Sequence, residues 1–316
     1  MKRLLVIVAV LTLVSCSESD TNTPSKRISS ISLIDTQLVL YIGDTHTLAA
    51  TILPASASDE KLVWVSANPS VATVNSEGKI TALASGTTEI SVSDEQGTHE
   101  SACAVTVLEE NQIIYNNQIW DTHNASVFQV KTNTGSTLQL DLQANALWYN
   151  ASEGAHVYRT VTGNFTLTAT VSAVKRTNNA QATECTVCLG GLMARNPSAS
   201  PEDQDYVHLV SGVTPGGHGA EIKSTTNSSS VYQPTGQNQL PFTDAQISHD
   251  LKIVRVGNTF TLSKKSPVDS DWVLLGEYNR PDLPATLAVG VNIYTSVNGP
   301  AVADLSVRYE NIQIVQ

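Results

Sequence analysis

The 316-residue chain has room for about two domains of ordinary size, and its 18 basic and 29 acidic residues give a net charge of −11. An acidic chain with no basic stripe argues against the phosphate neutralisation that holds nucleic acid and against electrostatic attachment to anionic lipid. No nucleic-acid partner is expected. Aromatic residues make up 5% and charged residues 15%, while Thr, Ser, Val and Asn are frequent. That balance favours strands and turns over helices, because β-branched side chains suit a pleated sheet and small polar ones suit turns.

At the N-terminus Lys2 and Arg3 precede an apolar run over residues 4–14, broken only by Thr12. The run is too short to span a bilayer and has the proportions of a signal-peptide core. It ends in Leu13-Val14-Ser15-Cys16, which resembles the bacterial lipobox. That resemblance implies cleavage after residue 15, lipidation of Cys16 and attachment to the outer membrane by the lipid alone, since several acyl chains on one residue anchor stably. Loss of Lys2 and Arg3 would take the net charge from −11 to −13. Residues 16–27 are polar and without period, and read as a flexible tether. Glu18 and Asp20 loosely resemble the export signal of some surface-displayed lipoproteins.

Residues 28–108 carry period-2 patterning. Ile31, Leu33, Leu38, Leu40 and Ile42 alternate with polar residues before a turn at Gly43-Asp44. Runs follow at residues 47–53, 62–65 and 71–74, then a hairpin turn at Ser76-Glu77-Gly78-Lys79, where Gly supplies a positive φ. Ile80, Leu83, Gly86, Ile90, Val92, Cys103, Val105 and Val107 complete about seven short strands, the pattern of an immunoglobulin-like sandwich. The succession Val63-Trp64, Asn68-Pro69-Ser70-Val71-Ala72-Thr73-Val74, Gly78-Lys79-Ile80-Thr81-Ala82-Leu83 and Gly86-Thr87-Thr88 resembles the bacterial immunoglobulin-like group 2 family. The resemblance implies a spacer or adhesion module without catalysis, in which Trp64 packs in the core.

Residues 109–117 read as a linker, or else as the first strand of the next unit. Residues 118–316 again show strand patterning, most plainly in Phe165-Thr166-Leu167-Thr168-Ala169-Thr170-Val171, where apolar side chains point one way and threonines the other. Residues 251–256 and 259–263 form a hairpin around Gly257-Asn258. No stretch has a 3.6-residue period, and a sandwich of 12 to 14 strands fits the length. Gly163-Asn164-Phe165, Gly191-Leu192-Met193-Ala194-Arg195, Tyr206-Val207, Arg255-x-Gly257-Asn258-x-Phe260 and Val289-Gly290-Val291 together resemble a concanavalin-A-like or laminin-G-like jelly roll, similar to domains that accompany bacterial glycosidases. The fold class expected is therefore all-β, an immunoglobulin-like sandwich followed by a larger jelly roll.

The laminarinase-like members of that superfamily carry a Glu-x-Asp-x-x-Glu strand whose carboxylates act as nucleophile and acid/base. No such triplet occurs here. Glu202-Asp203-x-Asp205 and Asp269-x-Asp271 lie in loops and read as solvating groups. If a strand runs from Asp205 to Val210, Tyr206 and His208 share one face and Val207 and Leu209 the other. Arg195, Glu221 and Lys223 can join that face to form a polar cleft for sugar hydroxyls, where an Arg fork and an aromatic ring suit a pyranose. Trp148 and Tyr149 are placed on its rim, whereas Trp272, before an apolar run, is expected in the core. The candidate glycan-binding residues are thus Arg195, Tyr206, His208, Glu221, Lys223 and Trp148. If the domain is an enzyme, Glu221 and His208 are its acid/base pair.

Cys185 and Cys188 form a C-x-x-C, and Cys103 stands alone. Without a second pair or a nearby His this is weak evidence for zinc. Residues 183–190 read as a strand, which would put positions 185 and 188 on opposite faces. Buried or idle thiols are expected, with a disulfide as the alternative in an exported protein. No cofactor or metal site is implied, although the jelly-roll resemblance allows a structural calcium. The sequence reading is a lipid-anchored surface protein whose jelly roll binds glycan, with a glycan-cleaving enzyme or a protein-binding adhesin as the other possibilities.

Overall fold

The structure, a computed structural model, describes residues 27–148, 153–185, 187–199, 204–214, 217–233, 246–266, 269–295 and 302–316. The signal segment, Cys16 and most of the tether lie outside the described residues, as do Tyr149, Glu202 and Asp203. The chain divides into two compact units at Val107/Leu108. No α-helix occurs among the described residues, only the 3-10 turns Ala55–Ala57 and Ala125–Val127.

The first unit is a small β sandwich. Gln37–Tyr41, Glu100–Leu108, Gly86–Asp94 and Leu62–Ser66 form one sheet in that spatial order, and Thr45–Thr47, Lys79–Ala82 and Ala72–Val74 form another. Ser30–Leu33 pairs with Ala50–Leu53. The apolar run expected as one strand over residues 47–53 is therefore two, with different partners, and buried Leu48 lies between them. Ile80, Ile90, Val92, Cys103, Val105 and Val107 fill the core, and Trp64 packs against them partly buried. Gly78 makes the expected turn with φ +78°, and a Cβ there would sit 2.7 Å from the Trp64 ring. Both backbone freedom and close approach require glycine at this position. Cys103 is a buried free thiol, its pKa raised by burial and then by the charge of Asp35.

The second unit is a two-layer sandwich with antiparallel pairing between its described strands. Eight strands form one sheet in the order Gln112–Tyr115, Gln118–His123, Ala155–Thr162, Thr286–Thr295, Cys188–Arg195, Tyr206–Thr214, Gly217–Thr226 and Ser229–Gln233. Seven form the other, in the order Phe128–Thr134, Thr137–Leu142, Ser306–Val315, Phe165–Val174, Ser248–Val256, Thr259–Lys265 and Val273–Asn279. Fourteen of these fifteen strands lie within residues 118–316, in agreement with the 12 to 14 expected there. The fifteenth is Gln112–Tyr115, inside the stretch read as a linker or as the first strand of this unit. It pairs with Gln118–His123 through Asn116 and Asn117, both at positive φ, a conformation Asn tolerates.

The layers meet over Leu140, Leu167, Val171, Leu192, Leu209 and Ile253, among others. Phe165–Val174 alternates buried and half-buried positions as its sequence dictates. The hairpin at Gly257-Asn258 forms as expected, with Val256 facing Thr259. Cys185 and Cys188 are joined by a disulfide, which corrects the expectation of idle thiols. The strand begins only at Cys188, so Cys185 is not held on the opposite face, and the two Cα atoms approach to 5.8 Å.

Candidate functional site

The eight-stranded sheet turns its second face away from the core, and strand register decides what stands there. Residues directly opposite across an antiparallel pair share a face. One row runs His123, His156, Asn292, Gly191, Val210, Glu221, and the next runs Asp121, Tyr158, Gly290, Met193, His208, Lys223. A third places Arg195 beside Tyr206 and Thr225. All five strand residues proposed from sequence therefore lie on one face.

That face is not an open cleft. Trp148, expected at a rim, is fully buried against Leu189, Met193, Tyr206, Val210 and Tyr294. Its indole lies against Gly154, where any Cβ would collide with the ring. The Tyr206 hydroxyl donates to the Trp148 carbonyl, and the two rings meet edge to face. Lys223 is fully buried too. Its Nζ donates to the same carbonyl at 3.4 Å and stands 5.4 Å from the ring centroids of both Tyr206 and Tyr294. Arg195 donates from Nε to Gln204 Oε1 at 3.0 Å, and its guanidinium lies 5.9 Å from the Trp148 ring. Glu221 is half-buried, with its Oε1 3.3 Å from His208 Nε2.

The charge states follow from these surroundings. Burial, then the charge of Lys223, pushes the His208 imidazole down to about 4, with Glu221 opposing. Burial alone would raise the Glu221 carboxyl, but the His208 hydrogen bond and the Lys223 charge outweigh it and hold the carboxyl below its usual range. At neutral pH a carboxylate thus faces a neutral imidazole. Its Nε2 carries the proton toward Glu221, which leaves Nδ1 as a bare acceptor.

His208 Nδ1 has no hydrogen-bond partner, nor do Trp148 Nε1 or either amide atom of Asn292, although all are buried. His156 stacks on Tyr158, and neither of its nitrogens makes a bond of normal geometry. Burial, then the charges of Arg195 and His123, holds its pKa well below the usual value. Buried polar atoms are normally satisfied, so this group of donors and acceptors on one face stands out. Sequence reasoning missed His156, Asn292 and Tyr294. The available signal was a polar Asn inside the otherwise apolar run of residues 287–294.

Of the loop acids, Asp205 accepts from the Asn227 backbone at 2.9 Å and Asp269 from Ser266. Both hold local structure. No cluster of three or more His, Cys, Asp or Glu with metal-binding geometry occurs among the described residues. Trp272, expected in the core, is 39% exposed on the other sheet.

The model of the family "Bacterial Ig-like domain (group 2)" matches residues 27–105. An uncharacterised protein of Clostridium acetobutylicum is 41% identical over 71 residues, 22% of this chain and 18% of that protein. A kappa-carrageenase of Pseudoalteromonas carrageenovora is 38% identical over 65 residues, 21% of this chain and 16% of the enzyme. The chain spans less than a fifth of the length of either. Among solved structures, a functionally unknown protein from Saccharomyces cerevisiae superposes with a TM-score of 0.48 at 14% identity, covering 64% of this chain and 98% of that one. Lectin I-B4 of Griffonia simplicifolia gives 0.38 at 16% identity, covering 60% and 92%. Residues 27–105 are similar to the bacterial immunoglobulin-like group 2 family over the whole of a small β sandwich, and a larger two-layer antiparallel β sandwich follows them.

Proposed function

We propose that the jelly roll binds carbohydrate at the Glu221 face of its eight-stranded sheet, and that the immunoglobulin-like domain serves as a spacer. The observation that carries this reading is the set of buried, unpartnered groups: the Asn292 amide, His208 Nδ1 and Trp148 Nε1. Donors and acceptors alternate there, and each sugar hydroxyl both donates and accepts. Tyr206, Tyr294 and Trp148 lie buried beside them, and their rings would meet a sugar once that cover opens. A soluble form, residues 17–316, is expected to retain specific glycans on an array. Glu221→Gln and Lys223→Met should each weaken binding by about tenfold or more, the scale of one hydrogen bond to a charged group. Unchanged affinity in both variants, with the fold intact by circular dichroism, removes the site from this face. An array silent for the native chain favours protein adhesion.

One observation favours cleavage as a second reading. A neutral imidazole oriented by a carboxylate is the arrangement of a general base. Products formed from an array hit, and abolished in both Glu221→Gln and His208→Gln, would establish an enzyme. Binding without products keeps the lectin-like role.

The proposed role includes lipid anchorage at Cys16 in the outer membrane, supported by the Leu13-Val14-Ser15-Cys16 sequence behind its short apolar run. Cys16→Ser is expected to move the protein from the detergent phase to the aqueous phase on Triton X-114 partition. Continued detergent partition of that variant rules the anchor out.

A further inference from the structure

The outer face of the seven-stranded sheet carries a groove of about 200 Å³, in which the Glu221 face has no part. Its floor is fixed by register. Thr168 faces Lys252 and Thr170 faces Asp250 across adjacent strands, while Gln313 faces Thr168 from the other side. Asn311 and Gln313 line one side of the space, and Trp272 contributes to its lining just ahead of the edge strand Val273–Asn279.

Trp272 is the unusual member. The other two tryptophans of this unit, Trp120 and Trp148, are buried, whereas Trp272 is 39% exposed. Its indole reaches over the sheet to Lys252, whose Nζ stands 4.1 Å from the ring centroid. This cation–π contact fixes the ring by one face. Asp250 accepts the Thr170 hydroxyl on Oδ1 at 2.5 Å, and its Oδ2 makes no hydrogen bond among the described residues. The Thr168 hydroxyl and the Gln313 amide make none there either. A fixed aromatic plane is thus surrounded by a carboxylate oxygen, a hydroxyl and side-chain amides.

We propose that this groove is a second carbohydrate site, taking one pyranose ring of a neutral glycan chain. A pyranose has apolar C–H surface for the indole and an equatorial rim of hydroxyls for Asp250, Thr168, Asn311 and Gln313. The groove is smaller than ordinary ligand pockets, which suits one ring of a chain lying across the sheet. Asp250 and Lys252 balance each other in charge, so neither sign of ligand is selected. The site is built from different strands and does not depend on the covered face.

The test uses the ¹⁵N-labelled soluble chain, whose four tryptophans give four indole N–H signals. The Trp272 signal is the one missing in Trp272→Phe. Cellohexaose, xylohexaose and laminarihexaose serve as probes. At least one is expected to move the Trp272 signal saturably. Asp250→Asn should weaken the affinity read from the Trp272 signal by about tenfold. If none of the three moves the Trp272 signal, or if Asp250→Asn leaves the Trp272 titration unchanged, the groove is not a carbohydrate site. Movement of the Trp148 signal alone, assigned through Trp148→Phe, would support the covered face while overturning the groove.

Discussion

Arg280→Ala is expected to destabilise the second unit by about 3 kcal/mol, the cost of leaving two buried acceptors without their charged donor. Arg280 follows the edge strand of the seven-stranded sheet, yet it is only 4% exposed and works on the other layer. Its NH1 donates to the Tyr206 carbonyl at 3.1 Å and to Ser224 Oγ at 2.9 Å, on neighbouring strands of the eight-stranded sheet. Its Nε and NH2 hold Asp282 at 2.7 to 3.1 Å. One side chain therefore ties the layers together beside the candidate site. The substitution leaves the Tyr206 carbonyl and the Ser224 hydroxyl without that donor in a dry environment. Urea unfolding followed by tryptophan fluorescence measures the effect, since three of the four tryptophans lie in this unit. A midpoint within error of the native chain would show that the network contributes no net stability. Arg280→Lys keeps the charge but lacks the fork, so it should recover only part of the loss.

A further large effect is expected on pH dependence. Folding lowers the His208 pKa from 6.5 to about 4. Between those values the unfolded chain takes up a proton that the folded chain does not, so stability rises with pH across this window and levels off above it. Full burial of the imidazole makes the swing about 3 kcal/mol for this group. His156, also lowered by burial, acts in the same direction. Glu221, held below its usual range, adds a loss at still lower pH, as its carboxylate becomes protonated. Denaturation midpoints should therefore fall between pH 7 and pH 5, and His208→Gln should flatten that slope. A native profile flat over this range, or a His208→Gln profile as steep as the native one, would contradict the buried neutral imidazole.

Much of the architecture is legible in the residues. The alternation of residues 165–171, the turn glycines Gly78 and Gly257 and the core pattern of the first domain specify strands because a pleated chain exposes successive side chains to opposite faces. That same rule correctly put Tyr206 and His208 on one face and Val207 and Leu209 on the other. Strand pairing was less accessible. The run at residues 47–53 is continuous in pattern but divides between two partners, because hydrogen-bonded neighbours are chosen by contacts far away in sequence. Gln112–Tyr115 reads in sequence as either a linker or a first strand, because its pattern is too short to distinguish an edge strand from a loop.

By itself the sequence determined that the chain is all-β in two units, with an immunoglobulin-like sandwich first, and it determined which side chains share a strand face. Tertiary structure decided whether such a face meets solvent. Trp148 and Trp272 show the difference. Trp148 has the local sequence of a rim residue and is buried over the sheet, whereas Trp272 has that of a core residue and stands exposed beside Lys252. Register with neighbouring strands then drew His156, Asn292 and Tyr294 into the cluster, though neither His156 nor Tyr294 carries a local signal of that role. Face assignment follows from the two-residue period of a single strand, whereas burial depends on what another part of the chain lays over it.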